Sequence, residues 1–274
     1  MTSRIIKAFI LLLVLSALLI PIAGQRSFDD FRQRRRPTSS EQQSGASFGE
    51  YTFVRTIYDS PTRGYGRRGY YGGGTWTTDY PEADNNFIVG LREWAGTNLK
   101  IAPRPEALEI LDDRIFDYPI LYIVEPGFMD LSTEQAARLR EYIMRGGFIF
   151  LDDFWGEYEW QNVQEQFQKI VPEYEIKDLP LTHPIFHSYL DVEEVVQVPN
   201  VYNAQRGITS EKGGIVPHYM GVENPKNGRI VAFIARNRDL GDAWEWINDP
   251  AYPVKYGLPA YKVGINVVIY AMSH

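Results

Sequence analysis

The chain alternates continuous apolar runs with segments in which apolar residues recur every three to four positions. Three continuous runs, at 118–124, 148–151 and 229–235, are typical of strands buried on both faces of a sheet. An earlier segment, 51–58, is rich in β-branched and aromatic residues, which also predicts a strand.

Four segments carry the apolar stripe of a helix, at 84–97, 132–145, 157–170 and 259–274. Asp84 is the predicted N-cap of the first, and Ser132 with Gln135 forms a predicted capping box for the second. The last segment leaves a strand as the alternative, because residues 267–269 are all β-branched.

This order predicts the fold class α/β, with an open, mostly parallel sheet and helices on both faces. Ligands of such sheets bind outside the carboxyl ends of the strands, so the residues that follow each strand are the first candidates for a site.

Polar side chains follow each predicted strand. Asp59 and Ser60 follow the first strand and Glu125 follows the second. Asp152 and Asp153 follow the third, and the last is followed by Arg236, Asn237, Arg238 and Asp239. Because parallel strands end at the same edge, we expect Glu125, Asp152, Asp153 and Asn237 to lie together.

The paired aspartates leave three interpretations open. With Glu157 they are weak catalytic candidates, since burial could raise the pKa of one carboxyl for general acid–base chemistry. With Trp155 they suit a polyhydroxylated ligand, whose C–H faces stack on aromatic rings. The third interpretation is structural: the aspartates accept loop N–H groups, and one of them turns toward the helix that begins near Glu157.

Two further segments carry candidate residues. In 237–250, Asp239, Asp242 and Glu245 lie around Trp244 and Trp246, which predicts either a short capped helix or the rim of a ligand site. In HPIFH (183–187), His187 could join Asp152 or Asp153 at a metal, but the proline and the missing glutamate disfavour this. We therefore expect neither a metal nor a cofactor.

The N-terminus predicts export. Residues 1–24 combine two basic residues, a 13-residue apolar run and small residues, as a signal peptide does; an uncleaved membrane anchor is the alternative. Residues 25–50 are polar and rich in arginine and serine, which predicts a disordered linker. A single domain then covers 51–274, in the periplasm or secreted.

Composition narrows the chemistry. The 274 residues are 44% apolar and 23% charged, as in globular proteins, and none is cysteine, which excludes disulfides and a cysteine nucleophile. The net charge of −7 disfavours nucleic acid as a partner. The expected partner is a small polar ligand or a protein, with membrane association only through the N-terminus.

Several motifs resemble the bacterial domain-of-unknown-function 4159 family. They are WTTDYP (76–81), ADNNF (83–87), YIVEPG (122–127), MRGGFIFLDDFWGEYEW (144–160), LTHPIFHSY (181–189), QVPNVY (197–202), DLGDAWEW (239–246) and VGINVVIYAMSH (263–274). The family looks like a branch of the class I glutamine-amidotransferase-like, or flavodoxin-like, α/β fold. That superfamily's amidotransferases use a cysteine at a strand-to-helix elbow, which here corresponds to 152–156; without cysteine, glutamine amidotransfer is excluded.

We therefore expect a non-catalytic ligand-binding or scaffold module, and the alternative is a hydrolase of polar or carbohydrate substrates that uses paired carboxylates. The expected ligand-binding residues are Asp59, Asp79, Glu125, Asp152, Asp153, Trp155, His187, Asn237, Asp239 and Asp242.

Overall fold

The computed structural model describes residues 50–60, 75–96 and 99–274. Its strands are β1 (Val54–Ile57), β2 (Glu106–Glu109), β3 (Ile120–Val124), β4 (Phe148–Phe154), β5 (Glu175–Asp178), β6 (His218–Glu223) and β7 (Ile230–Arg236). Its α-helices are α1 (Glu82–Ala95), α2 (Thr133–Met144), α3 (Gly156–Ile170), α4 (Val201–Arg206), α5 (Leu240–Glu245) and α6 (Val254–Ser273). Short 3₁₀ helices lie at Thr75–Thr77, Asp113–Asp117, Pro126–Phe128 and Pro184–Phe186.

The strands form one sheet in the order β2-β1-β3-β4-β7-β6-β5. The first five in this order run parallel, and β6 runs antiparallel to both of its neighbours. The predicted α/β class with a mostly parallel sheet is confirmed.

The two faces of the sheet are packed differently. One face is mainly aliphatic and lies under α2 and α3, with Leu139 and Val163 completely buried. The opposite face is aromatic: Phe87 of α1 contacts Trp244 of α5 at a centroid distance of 4.4 Å and Tyr261 of α6 at 6.1 Å. Side chains alternate along a strand, so β4 sends Leu151 to the aliphatic face and Phe150 to the aromatic face.

Of the two helix starts predicted from local sequence signals, one is confirmed and the other is wrong. The capping box at α2 is confirmed, because the Ser132 hydroxyl accepts from the Gln135 N–H and the Gln135 side chain accepts from the Ser132 N–H. The cap predicted at Asp84 is wrong. Helix α1 begins at Glu82, and Asp84 lies inside its first turn with no solvent exposure, facing Arg55.

The C-terminal segment is helical, so the strand alternative for 267–269 is wrong. Helix α6 begins at Val254, five residues before Pro259, which it contains. Strands β2, β5 and β6 were not predicted, because their sequences mix charged and apolar residues without a sustained run. The outer two, β2 and β5, border the sheet and are only partly buried.

Within the described ranges, no helix has both the length and the apolar character needed to cross a bilayer. The predicted signal peptide (1–24) and almost all of the predicted linker (25–50) lie outside the described residues. Export and the domain boundary therefore stay predictions.

Candidate ligand site at the carboxyl edge of the sheet

The polar residues after β3, β4 and β7 lie at one edge of the sheet. Val124 pairs with Asp152 in the parallel register, and the Glu125 N–H donates to the Asp152 carbonyl at 3.0 Å. On the other side of β4, the Asn237 N–H donates to the Phe154 carbonyl at 2.9 Å. The expectation that these strand ends meet agrees with the observed register.

A β-bulge separates the two neighbouring aspartates. Leu151 pairs with Ile234 and Phe154 pairs with Arg236, so β4 has one residue more than β7 over this interval. The backbone of Asp153 is left-handed, with φ 54°. Bulges re-aim side chains next to functional sites, and this one lets Leu151 and Phe154 share the aliphatic face while Asp152 and Asp153 remain at the edge.

Asp152 is fully buried and has a complete set of donors. Its Oδ2 accepts from the Tyr122 hydroxyl at 2.8 Å and from the Gly241 N–H at 2.9 Å, and its Oδ1 accepts from the Leu240 N–H at 3.2 Å. Burial raises the pKa of Asp152 to about 6, and these hydrogen bonds oppose the rise. Asp152 thus holds the start of α5 against the sheet, which supports the structural interpretation for this residue.

The start of α3 is not capped by either aspartate, contrary to the expectation that one of them would turn toward it. The Asn237 side-chain oxygen accepts from the Gly156 N–H at 2.9 Å, and Glu159 Oε2 accepts from the Trp155 N–H at 2.7 Å. The residue that directly follows β7 and a residue of the helix itself therefore accept these two N–H groups. The two aspartates have other donors: Asp152 accepts from the start of α5, and Asp153 accepts from the Trp155 indole N–H.

Trp155 does not present a stacking face to a ligand. Its side chain is 1% exposed, and its indole N–H donates to Asp153 Oδ1 at 3.0 Å. The expectation that this ring would stack on a polyhydroxylated ligand is wrong. Its role in the structure is to orient the Asp153 carboxylate.

Four aspartates gather beside Asp152, and we call Asp79, Asp153, Asp239 and Asp242 the aspartate cluster. One carboxylate oxygen from each of Asp79, Asp153 and Asp239 lies within 4.8 Å of the others, and Asp79 forms a second such trio with Asp242 and Glu245. Asp153, Asp239 and Asp242 are buried, and Asp79 is half-buried.

The carboxyl groups of the aspartate cluster lie close together, and little positive charge offsets theirs. Burial raises the pKa of Asp79 and of Asp239 well above the ordinary value, and neighbouring carboxylates raise both further. The pKa of Asp242 rises to about 8 for the same reasons, with Glu245 the main neighbouring charge. Among the described residues, no lysine or arginine forms an ion pair with these four aspartates.

Glu125 lies next to the aspartate cluster and has a cationic neighbour. Burial raises its pKa to about 7, although the positive charge of Lys212 opposes this. Lys212 donates to Glu159 Oε1 at 2.5 Å and also lowers the pKa of Asp153, which burial and Glu125 raise. The lysine is nearly half-exposed, so it lies at the solvent side of the site.

Four polar residues of this edge share a strained backbone. Asp79, Glu125, Asp153 and Asn237 all have φ between 46° and 60°. Side-chain-bearing residues adopt this left-handed region uncommonly, and residues held there by their surroundings cluster at functional sites. Their concentration at one sheet edge marks it as the candidate site.

Three predicted residues lie outside this arrangement. Asp59 is exposed and accepts from the Gln135 side chain at 3.0 Å, which ties β1 to α2. His187 is exposed and paired with Asp191 at 2.9 Å, so it does not join Asp152 or Asp153 at a metal. Glu157 is exposed and paired with Arg236 at 2.8 Å, so it does not belong to the aspartate cluster.

Three residues of the site were not predicted from the sequence: Tyr122, Lys212 and Gly241. Tyr122 is the only residue of β3 that carries a hydroxyl group, so the sequence did contain a signal for it. Gly241 permits close approach, since a Cβ there would lie 2.8 Å from Asp79 Oδ2 and 3.1 Å from the Tyr122 hydroxyl. Lys212 comes from a loop whose position depends on the tertiary fold.

A family model described as a domain of unknown function (DUF4159) matches residues 68–272. This range includes the whole aspartate cluster together with Glu125 and Asn237. No curated protein matches the chain. The match covers most of the chain, so the chain belongs to the DUF4159 family.

Proposed function

Starting from membership of the DUF4159 family, we propose that this protein is an exported, non-catalytic binding module that holds a polar ligand at the carboxyl edge of its sheet. The observation that carries the proposal is the set of four polar residues with left-handed backbone at that edge: Asp79, Glu125, Asp153 and Asn237. Each such conformation costs on the order of 1–3 kcal/mol, and the surrounding structure must compensate for it.

The chemistry of the edge specifies the ligand class. Its side chains offer carboxylate oxygens with raised pKa values, and Lys212 is the cation beside them. A ligand that brings several hydrogen-bond donors or a positive charge would complement these oxygens, as an amine or a polyol does. Stacking on Trp155 is not part of this recognition, because that ring is buried.

A thermal-shift screen of the full chain against polyamines, amino sugars and neutral sugars tests the proposal. We expect a member of these classes to raise Tm in proportion to the logarithm of its concentration, because it binds only the folded state. Glu125→Gln should abolish the shift, since it removes an acceptor charge but keeps the size of the side chain. Glu157→Gln is the matched control, because Glu157 is exposed and paired with Arg236.

A hydrolase is the second candidate, and one observation favours it. Glu125 has a pKa of about 7, which suits a general acid or base at neutral pH, and the carboxyl of Asp153 is its electrostatic neighbour. Ligands that shift Tm should therefore also be incubated with the protein and analysed for cleavage products. Turnover by the wild type that is lost in Glu125→Gln would show that the protein is a hydrolase and not a binding module. A shift in Tm without turnover supports the binding module.

Export has its own test. The basic, apolar and small-residue segments of 1–24 motivate cleavage near Gly24, with release to the periplasm or medium. Mass spectrometry of the mature N-terminus should find residue 25 first. An intact Met1 in the membrane fraction would establish the anchor instead.

A further inference from the structure

We propose that Asp79, Asp153 and Asp239 bind a divalent cation of the hard, oxygen-preferring class, of which Ca²⁺ is the probe, with Asp242 at the border of the site.

The geometry of the trio fits one ion. A carboxylate oxygen from each residue lies within 4.8 Å of the other two. Ca²⁺ binds oxygens at about 2.3–2.6 Å, so two of its ligands are at most about 5 Å apart. The three residues come from different parts of the fold: Asp79 precedes α1, Asp153 is the bulge residue of β4, and Asp239 begins α5. A bound ion would therefore join the central strand to two helices of the aromatic face.

Orphaned buried oxygens are a second observation that points to a ligand. Asp79 Oδ2 and Asp242 Oδ2 are both shielded from solvent and have no hydrogen-bond partner. Asp242 is only 6% exposed, and its carboxylate shares a trio with that of Asp79. A buried polar atom without a partner costs on the order of 1–3 kcal/mol, so an unpaired oxygen next to other carboxylates needs a proton or a cation.

The donor set decides the class of ion. All three ligands are carboxylates, and neither cysteine nor histidine belongs to either trio, so soft and borderline metals have no preferred donor here. Calcium sites in extracellular modules bind with dissociation constants of about 10⁻⁴–10⁻³ M, which suits an exported protein.

This inference rests on the proposed function, because Asp153 belongs both to the cation site and to the proposed ligand site. Its test uses Ca²⁺ without any other ligand. Calorimetric titration of the full chain with Ca²⁺ up to about 10 mM should show saturable binding, and Tm should rise above its value in EDTA. Asp153→Asn and Asp239→Asn should each weaken Ca²⁺ binding at least ~10-fold, the scale that even outer-shell partners of metal ligands contribute. Asparagine tolerates the left-handed backbone at 153 and remains an N-cap at 239, so both variants should fold.

A control variant and a measurement without metal separate this inference from the ligand proposal. Glu157→Gln should bind Ca²⁺ as the wild type does, because Glu157 is exposed, is paired with Arg236 and does not belong to the trio. In EDTA the two asparagine variants should be as stable as the wild type or more so, which loss of a purely structural aspartate would not produce. An unchanged Tm and no binding heat in the wild type, or equal Ca²⁺ affinity in all variants, would overturn the cation site. A ligand shift that needs Glu125 but no metal would leave the proposed function standing.

Discussion

One buried carboxylate of this protein, Asp84, is paired with an arginine, whereas the carboxylates of the aspartate cluster are not. Asp84, in the first turn of α1, faces Arg55 of β1, and both side chains are completely buried. The Arg55 Nε–H donates to Asp84 Oδ2 at 3.2 Å, and Nη2 contacts Oδ1. Five residues earlier in the chain, Asp79 belongs to the aspartate cluster, which has no such partner among the described residues.

The contrast shows that the fold can supply a cation to a structural carboxylate. Burial raises the pKa of Asp84 and Arg55 opposes that rise by charge and hydrogen bonding. Arg55 also stabilises its surroundings, since Nη1 donates to the Thr78 carbonyl at 3.0 Å and the guanidinium lies 4.9 Å from the centre of the Tyr122 ring. Asp79 of the aspartate cluster directly follows Thr78, yet the carboxylates of the cluster lie next to one another and none has an arginine partner of this kind among the described residues. We infer that it is built for a ligand from outside the chain.

The largest expected effect comes from breaking the paired region. Arg55→Met should lower the free energy of unfolding by about 3–5 kcal/mol, because it leaves the Asp84 carboxylate buried and unpaired. Urea denaturation monitored by tryptophan fluorescence measures the change. The double variant Arg55→Met/Asp84→Leu should lose less than Arg55→Met alone, since no buried charge then remains unpaired.

Arg114→Met is the control for charge removal at the surface. Arg114 pairs with Asp112 at 2.7 Å, but its side chain is 58% exposed, so its loss should lower the free energy of unfolding far less than the loss of Arg55 does. If Arg55→Met costs no more than Arg114→Met, the buried pair contributes nothing special, and the contrast between the two regions fails.

The aspartate cluster and the neighbouring Glu125 should make the protein less stable as the pH rises, in buffer with EDTA. The folded-state pKa of Asp242 is about 8 and that of Glu125 about 7, whereas unfolded carboxyls titrate near 4. Between pH 4 and 8 the folded state therefore holds more protons than the unfolded state, and the free energy of unfolding falls as pH rises. From pH 5 to 8 we expect a fall of at least about 1.4 kcal/mol, the equivalent of one pKa unit.

Asp242→Asn isolates this contribution. His187, whose pKa is raised by Asp191, gives a slope of the same sign in the wild type and in the variant, so only the difference between them reports on Asp242. The variant should show a shallower slope in urea denaturation at pH 5, 6, 7 and 8. Parallel slopes in the two proteins would mean that Asp242 is already ionised at pH 5, which contradicts the carboxylate crowding.

The parts of the fold that were predictable are those with local signals. The runs of β3, β4 and β7 are apolar because both faces of those strands are buried, and the Ser132–Gln135 capping box acts over three residues. Asp84 shows the limit of such signals. Its type and position favour an N-cap, but its partner is Arg55, 29 residues earlier, and no local pattern encodes that contact.

The sequence predicted at which edge of the sheet the site lies, but it did not predict which side chains contact one another there. A residue directly after a buried parallel strand must lie at the carboxyl edge, which placed Glu125, Asp152 and Asn237 correctly. Which carboxylates face one another depends on the bulge at Asp153 and on the docking of α5, and both are tertiary features. For the same reason, the sequence alone did not show that Glu157, one of the catalytic candidates, is exposed and paired with Arg236.

The smallest expected effect separates the two roles of Asp239, which belongs to the aspartate cluster and is also the N-cap of α5. Its Oδ1 accepts from the Asp242 N–H at 2.7 Å. Asp239→Ala removes the cap, which should lower the free energy of unfolding by about 0.5–2 kcal/mol, and the loss of carboxylate repulsion should offset part of this fall. Asp239→Asn keeps the cap, so the free energy of unfolding should stay within about 0.5 kcal/mol of the wild-type value or rise slightly. Thermal denaturation in EDTA measures both variants against the wild type. An equal loss in the alanine and asparagine variants would mean that the negative charge itself stabilises the fold, as it does at Asp84, and the aspartate cluster would then belong with the structural pair rather than apart from it.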